Sequence, residues 1–418
     1  MKRDSAHLIP PDPARDPSLE TPSSPVDAGT QPLLETRLDP PLGPLREPLI
    51  EPPIEPLIEP LVNLLYRAPR WLPTAHAQTI VPALFAHRPV VSYRRERWTT
   101  PDSDFIDLDW LSYGVDGQDH ANIDPAASRR SVATAAHAAP PSTAPLFVLF
   151  HGLEGSSDSH YARVLMAEAK ARGWHAVVPH FRSCSGSINL LPRFYHLADS
   201  AEVDWVLRRL KAQHAGPVVA AGVSLGGNVL LRWLCEQEHD AAAVLDAAAA
   251  ISAPLDVHAG GHAISQGFGM VYTRSFLKTL KRKALAKLDQ YPGLFDRDAM
   301  LAARTMHAFD NAVTAPVHGF RDTEDYWTRA TTRPFLRHID VPTLLLNARN
   351  DPFLPGRVLP SEAEVSAAVT LDQPAHGGHV GFMTGPFPGR IDWLSQRVFA
   401  YLQTHVHNVT QTPDSTHG

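Results

Sequence analysis

Residues 218–234 read VVAAGVSLGGNVLLRWL, and Ser224 stands in that run with glycines on both sides. Gly222, Ser224 and Gly226 fit the pattern G-x-S-x-G, and Gly227 follows. Val218–Gly222 is a short apolar run suited to a buried strand, and Asn228–Cys235 has the apolar content of a buried helix. A strand turning straight into a helix through this pattern is the setting of a nucleophile elbow, in which the serine backbone is strained. A Cβ at Gly222 or Gly226 is expected to collide across so tight a turn. Taken alone, the stretch reads equally as an elbow or as an ordinary glycine loop.

The segments around it alternate. VVSYRRERWTT and FIDLDWLSYG read as two strands, the second alternating polar and apolar residues through Phe105, Asp107, Asp109 and Leu111. PLFVLFHGLEG opens on an apolar strand of the kind buried in a parallel sheet. The helix YARVLMAEAKARG ends at Gly173, WHAVVPHF is the next strand, and the helix SAEVDWVLRRLKAQH leads into the Ser224 strand. AAAAISAP and VPTLLLNARND are two further strands, and DWLSQRVFAYLQTH is a closing amphipathic helix. Strands alternating with helices predict an α/β fold with a mainly parallel, doubly wound sheet. From 256 to 337 the rhythm breaks into helical segments, which predicts a helical cap over the sheet's C-terminal edge. The run RSFLKTLKRKALAKLDQY in that cap reads as a solvated helix face, with an anionic substrate or a membrane surface as the other reading.

Composition bounds the rest. The chain has 418 residues, and 44% hydrophobic content is enough for a large α/β domain with extras. A net charge of −6 gives no reason to expect a nucleic-acid partner. Two cysteines, Cys184 and Cys235, are too few for a disulfide framework and suit a reducing compartment. Neither C-x-x-C nor H-E-x-x-H occurs, so no metal or cofactor is expected, and His258 and His262 read as surface residues. The N-terminus lacks the apolar core of a secretory signal, and no apolar run reaches membrane-spanning length. A soluble, cytoplasmic protein is the expectation. From Glu47 four tetrapeptides read EPLI EPPI EPLI EPLV. Proline at every fourth residue excludes a helix interior and a central strand, leaving extended chain. Residues 1–64 are therefore expected to be a mostly disordered tail, 65–405 the folded domain with a flexible Ala/Ser/Pro-rich insertion at 115–145, and 406–418 a second tail.

A serine hydroxyl is a weak nucleophile near neutral pH and needs a base, which in turn needs an acid to orient it. The acid candidate is Asp351 in TLLLNARNDPFLP, where an apolar strand ends and a carboxylate follows. Asp340, before that strand, belongs to the wrong edge. The base lies in PAHGGHVGFM, which offers His376 and His379. His379 is preferred because Val380, Gly381 and Phe382 tuck the following chain toward the sheet. Acyl transfer also needs donors aimed at a developing oxyanion. The Leu225 N–H heads the elbow helix and gains from its dipole, and the HG turn at His151–Gly152 should present a second donor from Leu153.

Several blocks in order carry a resemblance: HAQTIVPALF, RRERWTTPDSDFIDLDW, LFHGLEGSSDSHYA, VVPHFRSCSG, GVSLGGN, AARTMHAFDNAVTAPVHGF, LLLNARNDPFLP and GGHVGF. The chain resembles the YheT-like branch of the α/β-hydrolases, related to the mammalian abhydrolase-domain lipases, from about Trp71 to Leu402. The resemblance implies Ser224 as nucleophile, Asp351 as acid and His379 as base, with esterase or acylglycerol-lipase-like activity on a small-molecule ester. It does not fix the acyl chain. Ser183 stands where the family pattern carries glycine, and Cys184 beside it reads as an inert thiol. A thioesterase, peptidase or acyltransferase would use the same three residues. An epoxide hydrolase or dehalogenase would want aspartate at position 224, and a binding protein on the same scaffold would be expected to have lost one of them.

Overall fold

In a computed structural model, the structure describes residues 65–113 and 139–409. The expected tail at 1–64 lies outside these residues, as do most of the 115–145 insertion and residues 410–418. The elements in chain order are α1 (Ala75–Phe85), β1 (Tyr93–Thr99), β2 (Phe105–Leu111), β3 (Leu146–Phe150), α2 (His160–Ala171), β4 (His175–Pro179), α3 (Ser200–Gln213), β5 (Val218–Val223) and α4 (Leu225–Gln237). They continue with β6 (Ala247–Ile251), α5 (Val257–Ile264), α6 (Gly269–Gln290), α7 (Arg297–Ala302), α8 (Met306–Phe309), α9 (Ala315–His318), α10 (Thr323–Ala330), β7 (Thr343–Leu346), β8 (Val369–Asp372) and α11 (Asp392–Val409).

The eight strands form one sheet in the order β1-β2-β4-β3-β5-β6-β7-β8. β2 runs antiparallel to both its neighbours, and every other pair on the β4 side of it is parallel. The central strands are covered on both faces, which is why β3, β5 and β6 are apolar at every position and wholly buried. Alternate residues go to opposite sides. Leu146, Val148, Val218 and Ala220 pack with Leu207 of α3 and Leu230 of α4. Phe147, Leu149, Val219 and Ala221 pack with Leu165 of α2 and Phe399 of α11. Burying each large aliphatic or aromatic side chain there contributes roughly 1.5–3 kcal/mol.

Between β6 and β7 the chain is helical, α5 to α10, with its own apolar core of Leu277, Phe295, Met300, Phe309, Tyr326 and Trp327. Here the solvated-face reading of the basic run holds only in part. Lys287 is fully buried and donates to the carbonyls of Asn189 (2.6 Å) and Leu191 (2.9 Å). Lys281 caps the carbonyls of Leu301 and Ala303, and only Arg274, Lys278 and Arg282 of the run's cations are exposed. The alternation in β2 hides no wet face either, because Asp107 and Asp109 are both buried and gripped by Arg97 and Arg95 of β1. One element and one boundary differ from expectation: β8 is a strand that the sequence reading lacks, and α11 runs past 405 to Val409. No helix among the described residues is long and apolar enough to cross a membrane.

Candidate active site

β5 ends at Val223, and α4 begins at Leu225, so Ser224 is the whole of the turn between them. Its backbone sits at φ 53°, ψ −118°, a conformation that side-chain-bearing residues rarely take. The glycines make the turn sterically feasible. A Cβ on Gly222 would lie 2.4 Å from the Gly226 carbonyl oxygen, across the turn as expected. A Cβ on Gly226 would instead meet the Phe150 carbonyl oxygen of β3, also at 2.4 Å. The strained residue is pinned by its N–H on the Ile251 carbonyl at 2.8 Å.

His379 and Asp351 come to this serine from two other strand ends. The Ser224 hydroxyl lies 3.0 Å from His379 Nε2, and His379 Nδ1 lies 2.9 Å from Asp351 Oδ2. Asp351 is buried, and its other oxygen accepts the Phe353 N–H at 2.7 Å. The carboxylate thus takes the proton on Nδ1, which leaves Nε2 as an acceptor facing the hydroxyl. His376 is exposed, with Asn350 beside it, and does not reach Ser224. Asp340 is also exposed, paired with His239.

The loop that carries His379 is held by residues that the sequence reading passed over. Thr79 Oγ1 of α1 accepts the His379 N–H at 2.9 Å, and Gln78 Oε1 accepts the Gly377 N–H at 2.9 Å. A Cβ on Gly378 would meet Thr79 Oγ1 at 2.7 Å on a residue already at φ +60°, so glycine is required there. Val380 donates to Ser252 Oγ at 3.1 Å. Phe353 stacks on the imidazole with centroids 3.9 Å apart and planes 8° from parallel, fixing the ring. The signal for α1 was present in the HAQTIVPALF block; its partner, three hundred residues away, was not.

Leu225 heads α4, so no carbonyl a turn earlier in the helix takes its N–H. On the other side, the turn after β3 packs against the serine, since a Cβ on Gly152 would be 3.3 Å from Ser224 Cβ. Its backbone is tightly committed. Gly152 donates to Tyr161 Oη and Glu154 to Tyr195 Oη, both at 2.8 Å. The Gly152 carbonyl accepts from His151 Nδ1 at 2.8 Å and from the Gly155 N–H at 2.9 Å. Phe181 donates to His151 Nε2 at 3.1 Å, which puts the ring proton on Nδ1. Burial pushes the His151 imidazole down to about 3, keeping it neutral. In a trans peptide the N–H points opposite to the carbonyl, so anchoring the Gly152 carbonyl aims the Leu153 N–H the other way. Among the described residues nothing accepts that N–H.

Leu153, Ser224, Leu225 and His379 share the wall of one cavity of about 140 Å³. The rest of its lining is mostly cap and strand-end hydrocarbon, including Val257, Phe276, Leu280, Phe309 and Trp327. Gly261 lies against Trp327, where a Cβ would overlap the ring at 2.2 Å. Asp310 also lines the cavity; burial raises its carboxyl to about 6, and Thr314 and Trp327 donate to it. Ser183 takes φ +64°, the left-handed geometry a glycine would supply there, and its hydroxyl bonds Asn189 at 2.6 Å. Burial pushes the Cys184 thiol up to about 11, which opposes thiolate chemistry. Among the described residues no group of three or more His, Cys, Asp or Glu side chains could hold a metal ion.

Comparison with known proteins agrees with this architecture. Residues 145–386 match the family model described as alpha/beta hydrolase fold. The chain is 36% identical over 341 residues to the Escherichia coli protein named "Putative esterase YheT", covering 81% of this chain and 92% of that one. It is 28% identical over 341 residues to mouse "Phospholipase ABHD3", covering 81% and 78% respectively. It is 24% identical over 276 residues to the Saccharomyces cerevisiae "Monoacylglycerol lipase", covering 64% and 60%. With the sheet order, the elbow and these matches together, the chain belongs to the α/β-hydrolase fold family.

Proposed function

We propose that this protein is a serine-dependent carboxylic-ester hydrolase that works through an acyl-enzyme on Ser224. The observation that carries the reading is the hydrogen-bonded line Ser224–His379–Asp351, with spacings of 3.0 and 2.9 Å, in the wall of an apolar cavity. His379 Nε2 takes the hydroxyl proton as Oγ attacks the ester carbonyl, while Asp351 stays ionised and holds the imidazole tautomer. The carbonyl oxygen, now an anion, is received by the N–H groups of Leu153 and Leu225. His379 then returns the proton to the departing alkoxide, and a water molecule repeats the sequence to free the acid. Hydrocarbon lining favours an apolar acyl chain as the substrate's buried part. The names of the relatives, esterase, phospholipase and acylglycerol lipase, support an ester substrate.

The test is turnover of p-nitrophenyl esters of graded chain length by the full chain and by Ser224→Ala. Hydrolysis by the native protein, lost by ~10⁴-fold or more in the variant, is the expected outcome. Equal turnover by both proteins would remove Ser224 from the reaction, and no turnover of any ester by the native chain would point to a scaffold used for binding.

A further inference from the structure

Next to Leu153 stands a charged residue that the triad chemistry does not use. Glu154 has φ +57°, a strained position for any residue but glycine. Its N–H donates to Tyr195 Oη at 2.8 Å, and the same hydroxyl donates back to Glu154 Oε1 at 2.8 Å. That carboxylate oxygen also takes Lys283 Nζ at 2.6 Å, and the pair is largely shielded, with side chains 9% and 14% exposed. Lys283 belongs to α6 of the cap, whereas Glu154 belongs to the turn that follows β3. Both line the cavity with Ser224 and His379.

We infer that Lys283 is a positioning residue: from the cap, through Glu154 and Tyr195, it holds the 152–155 turn in the conformation that presents the Leu153 N–H to the reacting oxygen. The inference rests on the proposed role of Ser224 and the two N–H groups. Three features point the same way. A left-handed residue persists only where its surroundings over-determine it, and Glu154 is held at both its backbone and its side chain. Tyr195 stacks on Phe181 at 8° between planes, and Phe181 in turn donates to His151, which fixes the Gly152 carbonyl. The two ends of the turn are therefore tied into one network, of which Lys283 is the part contributed by the cap. A lysine on an ordinary pocket wall would be hydrated; this one spends its protons on Glu154 and on Cys184 Sγ at 3.3 Å. Cap and donor turn are thereby coupled, so that displacing α6 releases the turn.

The experiment compares Lys283→Met, Lys283→Arg and the double variant Lys283→Met/Glu154→Gln in the full chain. It measures kcat and KM on one p-nitrophenyl ester, and Ki for an alkyl boronic acid, whose tetrahedral adduct on Ser224 mimics the charged intermediate. Losing an oxyanion donor outright costs about 10²–10³ in kcat, so a loosened turn is expected to cost roughly 10–100-fold. KM should stay within about threefold, Ki should rise in step with the loss of kcat, and Lys283→Arg should restore most of both. The double variant leaves no uncompensated buried charge, so it folds where Lys283→Met alone fails, and its kcat should remain low. A Lys283→Met or double variant with native kcat and Ki, or one that raises KM alone, would overturn the inference and leave Lys283 a pocket-wall residue. A Ser224→Ala control that still turned over ester would instead overturn the reading of the site itself.

Discussion

Two clusters of serine, histidine and aspartate among the described residues are wired differently. In the first, Ser224 bonds His379 and His379 bonds Asp351, one after another. In the second, Ser157 Oγ and His180 Nε2 both converge on Asp109 Oδ2, at 2.5 and 2.8 Å. Arg95 forks onto the same carboxylate at 2.7 and 2.8 Å. The Ser157 proton therefore goes to a carboxylate already held by Arg95 and His180, and not to an imidazole nitrogen. Position differs as well. Ser157 and His180 are buried and do not line the cavity onto which Ser224 opens. Asp109 lies within β2, while Asp351 follows the C-terminal end of β7, where open α/β sheets place their ligands. In the proposed mechanism the same three residue types make a base-activated nucleophile in one place, while in the other they form a structural clasp, and what separates them is the order of the hydrogen bonds.

Exchanging the histidines should break that comparison most forcefully. His379→Ala should lower kcat/KM on an activated ester nearly as far as Ser224→Ala does, and combining the two should add little, because members of such a unit are not additive. His376→Ala, in the exposed part of the same loop, should stay within a few-fold of native. Circular dichroism serves as the folding control. If His376→Ala were dead and His379→Ala active, the loop would enter the cavity in the other register.

The aspartates give a smaller and more informative contrast. Asp351→Asn keeps the shape of the site yet favours the wrong tautomer of His379, so kcat should drop by up to ~10⁴ with the melting temperature nearly unchanged. Asp109→Asn should do the reverse, keeping kcat within a few-fold while costing about 2 kcal/mol, the scale of hydrogen bonds to a charged group. Acid titration sharpens this. Burial alone would raise the Asp109 carboxyl, but hydrogen bonds from Arg95, His180 and Ser157 outweigh it and hold the group well below the usual range. A carboxyl depressed in the folded state contributes its full stability above its unfolded value, about 3.9, and loses it as pH falls through the folded one. The native melting temperature should therefore fall more steeply below about pH 4 than that of Asp109→Asn. Parallel acid limbs for the two proteins would deny Asp109 this role.

What could be read from the sequence follows from how local each feature is. The elbow, the apolar strands β3, β5 and β6, and the three candidate site residues are written in short contiguous blocks, because a wholly buried strand is apolar along its length. β8 escapes because only Val369 of its four residues is buried, leaving no period to detect. The inward turn of Lys283 and Lys287 is invisible in a basic helix, since what draws them in, Glu154 and the carbonyls of Asn189 and Leu191, lies about a hundred residues earlier. Asp107 and Asp109 likewise look solvated until β1 supplies their arginines. Gln78 and Thr79 support the His379 loop by contacts that span the domain.

The central claim is that one serine of the two clusters is a nucleophile. A fluorophosphonate probe, reacted with the native chain and mapped by peptide mass spectrometry, tests it directly, because the probe is captured by a base-activated hydroxyl. The account predicts a single adduct on the peptide carrying Ser224, none on Ser157, and no labelling of Ser224→Ala. An adduct on Ser157, or labelling of Ser224→Ala at the native rate, would contradict it.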